Sequence, residues 1–375
     1  MSTYFDNAAS TAVHPEVFGE MTPYFLEHVG NACANNAYGR KAKTAIEESR
    51  NTIAPLLNAR PEEIIFTSSG TEANNMALTT AIAGQGIDHI ITTPFEHSGV
   101  LQTLSVLQKK HQARISYLKH DGNGNLDLNH LEYLLRTNTR NLISVMHANN
   151  LTGQVNNLAA IGDLSSRYKA YFHSDTIQTI GKLELNFEDI KLDFASASAH
   201  KFHGPKGIGF LFSRKGTRIV KLIHGNDQER QIRAGTENVA GIVGLAKSLE
   251  IAYRDLEQTT QYLNGLKNRM LIKLREQVPG IRINGIKAEE SLATILSISF
   301  PLLGHTSVSN YLDNKSIIVS GNTANPSKQY LAVFQSLGIS DNLETVRFSF
   351  SRQNTAEEID FAVENLALLY RAIAA

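Results

Sequence analysis

The fold is decided by residues 193–209, which read DFASASAHKFHGPKGIG. Residues 193–198 predict a buried strand of small residues, and residues 208–212 predict a second strand after a Gly/Pro-rich turn. Lys201 follows the end of the first strand. Burial there would lower the pKa of its amine and make it the nucleophile that a Schiff base requires. Most lysines are solvated surface charges, so Lys201 needs the rest of a cofactor site to support it.

Strands and helices alternate on the amino-terminal side of this segment. Apolar runs predict strands at residues 64–66, 89–92, 113–118, 142–146 and 171–173, and helical spacing predicts helices at 72–83, 98–110, 128–135 and 158–168. Such alternation indicates an α/β protein whose largely parallel sheet is covered on both faces.

The two ends of the chain add further elements. Residues 14–25 predict a helix that Pro23 could break, residues 41–57 a second helix, and residues 239–277 a mostly helical connection. The last part predicts strands at 294–300, 317–320 and 346–350 and helices at 307–313, 329–337 and 356–374, the last with Thr355 and Glu358 as a capping box. Because 375 residues exceed the usual size of one core, we expect a second, smaller α/β domain.

The composition excludes several functions. Lys plus Arg and Asp plus Glu each number 36, which gives no electrostatic case for binding nucleic acid or an anionic membrane. No apolar run approaches the ~20 residues of a membrane span. The start, MSTYFDNAAS, has neither the basic region nor the apolar core of a signal peptide. The single cysteine, Cys33, excludes an intrachain disulfide, so we expect a cytoplasmic protein.

Polar residues follow several of the predicted strands. Gly70 and Thr71 open a helix whose amino end can bind a phosphate, although the same residues also make an ordinary helix cap. Asp175 can pair with a protonated pyridinium nitrogen, or serve as a turn residue. Asn150 and Gln178 are neutral hydrogen-bonding residues in comparable positions, and His97 could stack on a flat ring or simply be solvated.

These residues occur in the order found in large pyridoxal phosphate (PLP) enzymes. The chain resembles the cysteine desulfurases, in the class V aminotransferase branch of PLP fold type I, over essentially all of its length. The resemblance rests on the runs YFDNAAST, EEIIFTSSGTEANN, EHSGVL, MHANNLTG, HSDTIQTIGK, SASAHKFHGPKGIG, QERQIRAGTENVAG and VRFSFSRQNTAEEID. It implies a large PLP-binding domain of residues 15–255 and a small domain of residues 1–14 and 256–375.

The resemblance also implies roles for individual residues. Lys201 would hold PLP as a Schiff base and act with His97, stacked on the ring, and Asp175, paired with the ring nitrogen. The remaining cofactor contacts would be Asn150 and Gln178 at the ring hydroxyl and Gly70, Thr71, Ser198 and His200 at the phosphate. Thr236 would reach the phosphate of a partner subunit, which implies a homodimer with shared sites. Arg347 would bind the substrate carboxylate, because a guanidinium can hold it by two hydrogen bonds, and Asn150 would be a second substrate-binding residue.

One feature departs from the family. Cysteine desulfurases carry a loop cysteine that takes the substrate sulfur as a persulfide, and the corresponding position here is Asn325, in the segment SGNTANPS at residues 320–327. An amide is not a nucleophile. The family's loop histidine is also missing near Asn36. Cys33 could act as the acceptor only if it were an exposed thiolate of low pKa.

Three functions therefore remain open. The first is C–S cleavage of cysteine or a related sulfur amino acid by elimination, without a persulfide and with Lys201 as the base. The second is another reaction of an α-amino acid, such as transamination. The third is a non-catalytic PLP-binding partner of a sulfur-transfer system, which the retained Lys201, Asp175 and Arg347 argue against. A sulfur-acceptor or scaffold protein is a further possible partner.

Overall fold

The computed structural model describes residues 2–304, 306–321, 328–339 and 342–374. The strands in these ranges are β1 (Thr3–Tyr4), β2 (Ile64–Thr67), β3 (His89–Thr92), β4 (Arg114–Tyr117), β5 (Asn141–Ser144), β6 (Tyr171–Asp175), β7 (Phe194–Ser198), β8 (Gly209–Ser213), β9 (Arg282–Ile283), β10 (Ile295–Pro301), β11 (Ile317–Ile318), β12 (Ser320–Gly321) and β13 (Leu343–Ser349). The helices are α1 (Pro15–Leu26), α2 (Ala37–Leu56), α3 (Gly70–Thr79), α4 (Ser98–His111), α5 (Leu128–Arg136), α6 (Leu158–Arg167), α7 (Phe187–Ile190), α8 (Gln228–Gln231), α9 (Val239–Arg254), α10 (Leu256–Gln277), α11 (Val308–Asn314), α12 (Lys328–Ser336) and α13 (Ala356–Ala374).

A seven-stranded sheet in the order β2-β8-β7-β6-β5-β3-β4 forms the centre of the fold. All of its strands run in one direction except β8, which is antiparallel to both β2 and β7. The prediction of an α/β fold with a largely parallel sheet is confirmed. The exception arises because only a short turn separates β7 from β8, and a parallel neighbour would need a long crossover. The carboxyl ends of β2, β3, β5, β6 and β7 consequently meet at one edge of the sheet.

A second core lies around a four-stranded sheet of order β12-β13-β10-β9. Its apolar side chains come from both ends of the chain and include Phe5, Leu266, Phe300, Phe348 and Leu366. Strand β1 pairs with β11, so the first residues of the chain join this half. A separate cluster around the seven-stranded sheet includes Phe172 and Phe210. The boundaries at residues 15 and 256 stay a prediction.

Some predicted elements differ from the observed ones. The helical region 239–277 is two helices, because the chain leaves the helical conformation at Asp255 between α9 and α10. Helix α1 continues through Pro23. Helix α3 starts at Gly70, earlier than expected, and ends in a π-helical turn over Thr80–Gly84.

The capping box of the last helix forms as predicted. The Thr355 amide donates to Glu358 at 3.1 Å, and the Glu358 amide donates to the Thr355 hydroxyl at 3.3 Å. None of the described helices is both long and apolar enough to cross a membrane.

Candidate active site

A cavity of about 230 Å³ lies at the sheet edge where the parallel strands end. Its walls are Ser69, Gly70, Thr71, His97, Met146, Asn150, Asp175, Ile177, Gln178, Ser198, His200 and Lys201, and we call it the Lys201 pocket. The structure thus brings together all of the predicted cofactor residues except Thr236. Arg347 is not part of the wall.

Lys201 lies in a single 3₁₀ turn directly after β7. Its amine donates to the carbonyl oxygens of Ala8 and Ala9 at 2.7 and 2.8 Å. Burial, and secondly the charge of Arg347, lower the pKa of Lys201 to about 8, against the opposing charges of Asp175 and Asp6. A substantial fraction of this amine is therefore unprotonated near pH 8, as a nucleophile or base requires.

Close backbone packing fixes the turn that carries Lys201. Gly209 starts β8 next to β7, and a Cβ atom there would lie 2.3 Å from the Ala197 carbonyl oxygen and 2.9 Å from the Ser69 carbonyl carbon. Only glycine fits between these two backbones. The small residues of 193–209 therefore bring the start of α3 and the lysine turn to the same cavity.

Asp175 is the last residue of β6 and is 4% exposed. Its Oδ2 accepts a hydrogen bond from the Asn74 amide at 2.8 Å, and its Oδ1 accepts one from the backbone of Ile177 at 3.1 Å. Burial raises the pKa of neighbouring Glu96 to about 8, so that carboxyl is largely uncharged at neutral pH. Glu96 therefore adds little negative charge next to Asp175.

His97 is the N-cap of α4. Its Nδ1 accepts a hydrogen bond from the Gly99 amide at 3.0 Å. This contact fixes the tautomer, because Nδ1 must be unprotonated and Nε2 must carry the proton. The ring therefore lines the pocket as a flat imidazole of fixed orientation, which suits stacking on an aromatic ring.

The other end of the pocket suits a phosphate. Helix α3 begins there with Gly70 and Thr71, and its N-cap Ser69 already accepts from the Glu72 amide at 3.2 Å. The remaining free amides and the dipole of this ten-residue helix favour an anion. Ser198 lies at the end of β7, while burial and nearby lysines lower the pKa of His200 to about 4 and leave it neutral.

The amides predicted near the cofactor ring have different surroundings. Asn150 Oδ1 is buried and has no hydrogen-bond partner among the described residues, as expected of an atom that serves a bound molecule. Gln178 instead donates to the Ala8 carbonyl at 3.1 Å and accepts from Lys182 at 3.3 Å. Burial and the charges of Lys201 and Arg347 lower the pKa of Lys182 to about 7. A second partly neutral lysine therefore stands behind the pocket.

Arg347 lies on β13 and is 7% exposed. Its Nη2 forms an ion pair with Asp6 at 2.5 Å, and its Nη1 donates to the Asn150 carbonyl at 2.8 Å. Its buried Nε has no hydrogen-bond partner in the described part of the chain. A carboxylate that binds Arg347 must therefore share the guanidinium with Asp6.

Thr236 lines a different cavity, together with Glu229, Arg233 and Gly235. Arg233 joins this loop to α3 through a two-point ion pair with Glu72, with Nε–Oε1 and Nη2–Oε2 distances of 2.9 and 3.2 Å. The position is compatible with a contact to a second subunit, which stays a prediction.

Asn325, which corresponds to the family's persulfide-forming cysteine, lies outside the described residues. Cys33 is exposed and accepts a weak contact from Gln228 at 3.4 Å. It is not part of the wall of the Lys201 pocket. Among the described residues, no group of three His, Cys, Asp or Glu side chains could hold a metal ion.

Three residues at the site were not identified from the sequence. Asp6 and Lys182 lie within the runs YFDNAAST and HSDTIQTIGK, and Asn74 lies within EEIIFTSSGTEANN. Asp6 could not be identified from the sequence, because its partner Arg347 is 341 residues away along the chain. Asn74 could have been found from its place on the predicted helix after Gly70.

The residues present fit PLP. The pocket offers an anion site at α3, a carboxylate at Asp175, an oriented imidazole at His97, an unpartnered amide oxygen at Asn150 and a lysine of lowered pKa. These are the groups that a phosphorylated pyridine aldehyde requires.

Comparisons with known proteins agree with this geometry. The model of the aminotransferase class-V family matches residues 3–361. A curated relative, cysteine desulfurase IscS of Dictyoglomus turgidum, is 36% identical over 97% of this chain and 93% of its own length. A solved structure of a NifS-like protein is 34% identical with a TM-score of 0.92, over 99% of this chain and 100% of the other. Another, of SspA in complex with cysteine, is 28% identical with a TM-score of 0.80, over 94% and 100%. The chain therefore belongs to the class-V aminotransferase family of PLP-dependent enzymes, in its cysteine desulfurase branch.

Proposed function

We propose that the protein cleaves the C–S bond of cysteine or a related sulfur amino acid, and that the sulfur leaves without forming a persulfide on the 320–327 segment. The observation that carries this proposal is a lysine of lowered pKa at a pocket whose lining residues fit PLP, with an arginine nearby, in a chain whose single cysteine lies outside the pocket wall. The relatives named cysteine desulfurase support cysteine as the substrate class.

Each predicted site residue has a role in this proposal. Lys201 holds PLP covalently, Asp175 pairs with its ring nitrogen and His97 stacks on the ring. The other contacts are Asn150 and Gln178 at the ring hydroxyl and Gly70, Thr71, Ser198 and His200 at the phosphate. When bound, PLP supplies an electron sink that stabilises negative charge on the substrate α-carbon.

The reaction then depends on two residues of this chain. Arg347 binds the substrate carboxylate and so orients the α-carbon toward Lys201. The Lys201 amine would accept the α-proton, and its lowered pKa suits this role near pH 8. No thiol of the 320–327 segment can attack the sulfur, because this segment contains no cysteine.

Sulfur then leaves as an anion from the β-carbon and takes the bonding electron pair. The balance is cysteine plus water to pyruvate, ammonia and hydrogen sulfide, and cystine plus water to pyruvate, ammonia and cysteine persulfide. A disulfide sulfur is the better leaving group, so cystine should react faster than cysteine.

A product assay tests this proposal. The purified PLP-loaded protein is given cysteine or cystine, and pyruvate, alanine and sulfide are measured together, with Cys33→Ser as the matched variant. The proposal expects pyruvate from both proteins. If the parent makes alanine from cysteine and Cys33→Ser releases no sulfur, then Cys33 is the acceptor and the proposal is wrong. Transamination without sulfide would favour the second function named above.

We also propose a homodimer in which Thr236 contacts the cofactor phosphate of the partner subunit. Two observations support this proposal. Thr236 lies outside the Lys201 pocket of its own chain, and the Arg233–Glu72 ion pair joins the loop that carries Thr236 to α3.

A further inference from the structure

A chain of buried hydrogen bonds lies behind Asp175. Asn74 Nδ2 donates to Asp175 at 2.8 Å, His173 Nε2 lies 3.0 Å from Asn74 Oδ1, and Ser144 Oγ lies 2.9 Å from His173 Nδ1. Ser144, His173 and Asn74 are all 0% exposed. The reaction proposed above uses none of these three residues.

The fold places these side chains together. His173 and Asp175 are two positions apart on β6, so they point to the same face of the sheet. Ser144 is the direct partner of His173 on neighbouring β5. Helix α3 packs over this face and brings Asn74 between the histidine and the carboxylate.

The hydrogen bonds can run in only one direction when Asp175 is ionised. The carboxylate only accepts, so the Asn74 amide must turn its NH₂ group toward Asp175 and its oxygen toward His173. His173 must then carry its proton on Nε2, and its Nδ1 must accept from the Ser144 hydroxyl. Burial lowers the pKa of His173 to about 3, so the ring is neutral and has only one N–H to give. Every donor in the chain therefore points toward Asp175.

We propose that Asn74 and His173 are positioning residues that hold Asp175 as an aligned, ionised carboxylate able to pair with the ring nitrogen of PLP. The inference rests on the proposed pairing of Asp175 with that nitrogen. Asn74 stabilises the charged form of Asp175 by direct donation, and His173 prevents the amide from rotating its oxygen onto the carboxylate. Without them the proton is held less firmly on the ring nitrogen.

The test uses the PLP-loaded protein and variants of two residues. His173→Phe keeps a ring of similar shape but removes both hydrogen bonds, whereas His173→Gln can place an amide N–H where Nε2 lies. Asn74→Asp keeps the size of the side chain and an acceptor for His173 but replaces the donor to Asp175 by a second carboxyl group. Two buried carboxyl groups in contact share one proton, so Asp175 is then partly protonated and pairs less well with the ring nitrogen. The readouts are the affinity for PLP, measured by absorbance titration, and the ¹⁵N chemical shift of the ring nitrogen in labelled PLP at pH 8.

A second buried His–Asn pair of the same sheet provides the matched control. His89 and Asn141 contact each other at 2.7 Å and are both 2% exposed. They are the first residues of β3 and β5, so they lie at the edge opposite the pocket. His89→Phe and Asn141→Asp should change the stability of the protein without changing the ¹⁵N shift.

The expected result is a protonated ring nitrogen in the parent protein and a shift toward the unprotonated value in His173→Phe and Asn74→Asp. PLP affinity should fall roughly tenfold in both, and His173→Gln should recover most of it. A parent nitrogen that is unprotonated would overturn the pairing with Asp175 itself. If the ring nitrogen is protonated in the parent and the folded variants keep the parent's ¹⁵N shift and PLP affinity, only the role of Asn74 and His173 would be overturned. If His173→Phe does not fold, Asn74→Asp alone decides between these results.

Discussion

Because Asp6 occupies part of the Arg347 guanidinium, we expect it to weaken the binding of substrate carboxylates. Their side chains are 21% and 8% exposed, so the pair is largely shielded from solvent. Breaking a buried pair costs about 3–5 kcal/mol, but Asp6→Asn keeps an oxygen for Nη2 and the site is partly wet, so we expect a loss of about 2 kcal/mol in unfolding free energy. Two carboxylates on one guanidinium, roughly 5 Å apart, repel by about 3 kcal/mol at an effective dielectric constant near 20, and solvent at Asp6 reduces this further.

Removing Asp6 should therefore strengthen carboxylate binding while weakening the fold. We expect the competitive inhibition constant of propionate, which has a carboxylate but no amine, to fall about tenfold in Asp6→Asn. The pKa of Lys201 should also fall below its value of about 8, because Asp6 raises it. Asp88→Asn, which removes a charge from an exposed pair with Arg140, is the control and should change neither quantity. Weaker propionate inhibition in Asp6→Asn would show that Asp6 organises Arg347 rather than competing for it, and would refute this reasoning.

Three further predictions concern stability and assembly. Glu229→Gln should lower the unfolding free energy by roughly 3 kcal/mol in urea titrations, because it breaks a buried ion pair with Arg50 at 2.8 Å. The control Asp88→Asn, in an exposed ion pair, should lower it by no more than about 0.5 kcal/mol. Equal losses in the two variants would contradict the burial of the Glu229–Arg50 pair. Lys182→Met should make the PLP-free protein more stable at pH 7, because the folded pKa of Lys182, about 7, lies below its ordinary value of 10.5. Between pH 7 and pH 10.5 the unfolded chain binds more protons than the folded one, so the unfolding free energy of the parent rises with pH. The extra stability of Lys182→Met over the parent should therefore shrink toward pH 10.5. A difference in stability that stays constant from pH 7 to pH 10 would argue against a lowered pKa of Lys182. Light scattering at micromolar concentration should give a dimer, and a monomer with full PLP occupancy would exclude a phosphate contact from the partner's Thr236.

Local patterns predicted much of the fold and of the site. Residues 193–209 indicated the strand, turn and strand around Lys201, and the alternation from Glu62 onward indicated the sheet. Because parallel strands end at one edge, the polar residues after them had to meet, which is how Thr71, His97 and Asp175 could be grouped. The sequence pattern predicted the two strands and the turn between them but not the direction of β8, which the structure shows to be antiparallel to its neighbours.

Contacts between distant parts of the chain were not predictable in this way. Asp6 meets Arg347 only because β13 passes the amino-terminal turn, where Asp6 bridges to Ser349. The link from Asn74 to His173 depends on how α3 packs over β6, which no local spacing encodes. The break at Asp255 was missed because helical periodicity continues on both sides of it.

The identity of the lysine that holds PLP is the most direct test of this account. Two half-buried lysines of lowered pKa lie near the pocket, Lys201 at about 8 and Lys182 at about 7, so a shifted pKa alone does not choose between them. The loaded protein is reduced with borohydride, digested, and mapped by mass spectrometry. We predict that the cofactor is found on Lys201 and that Lys201→Ala carries none. Label on Lys182, or on any other lysine of the parent protein, would contradict the site described here.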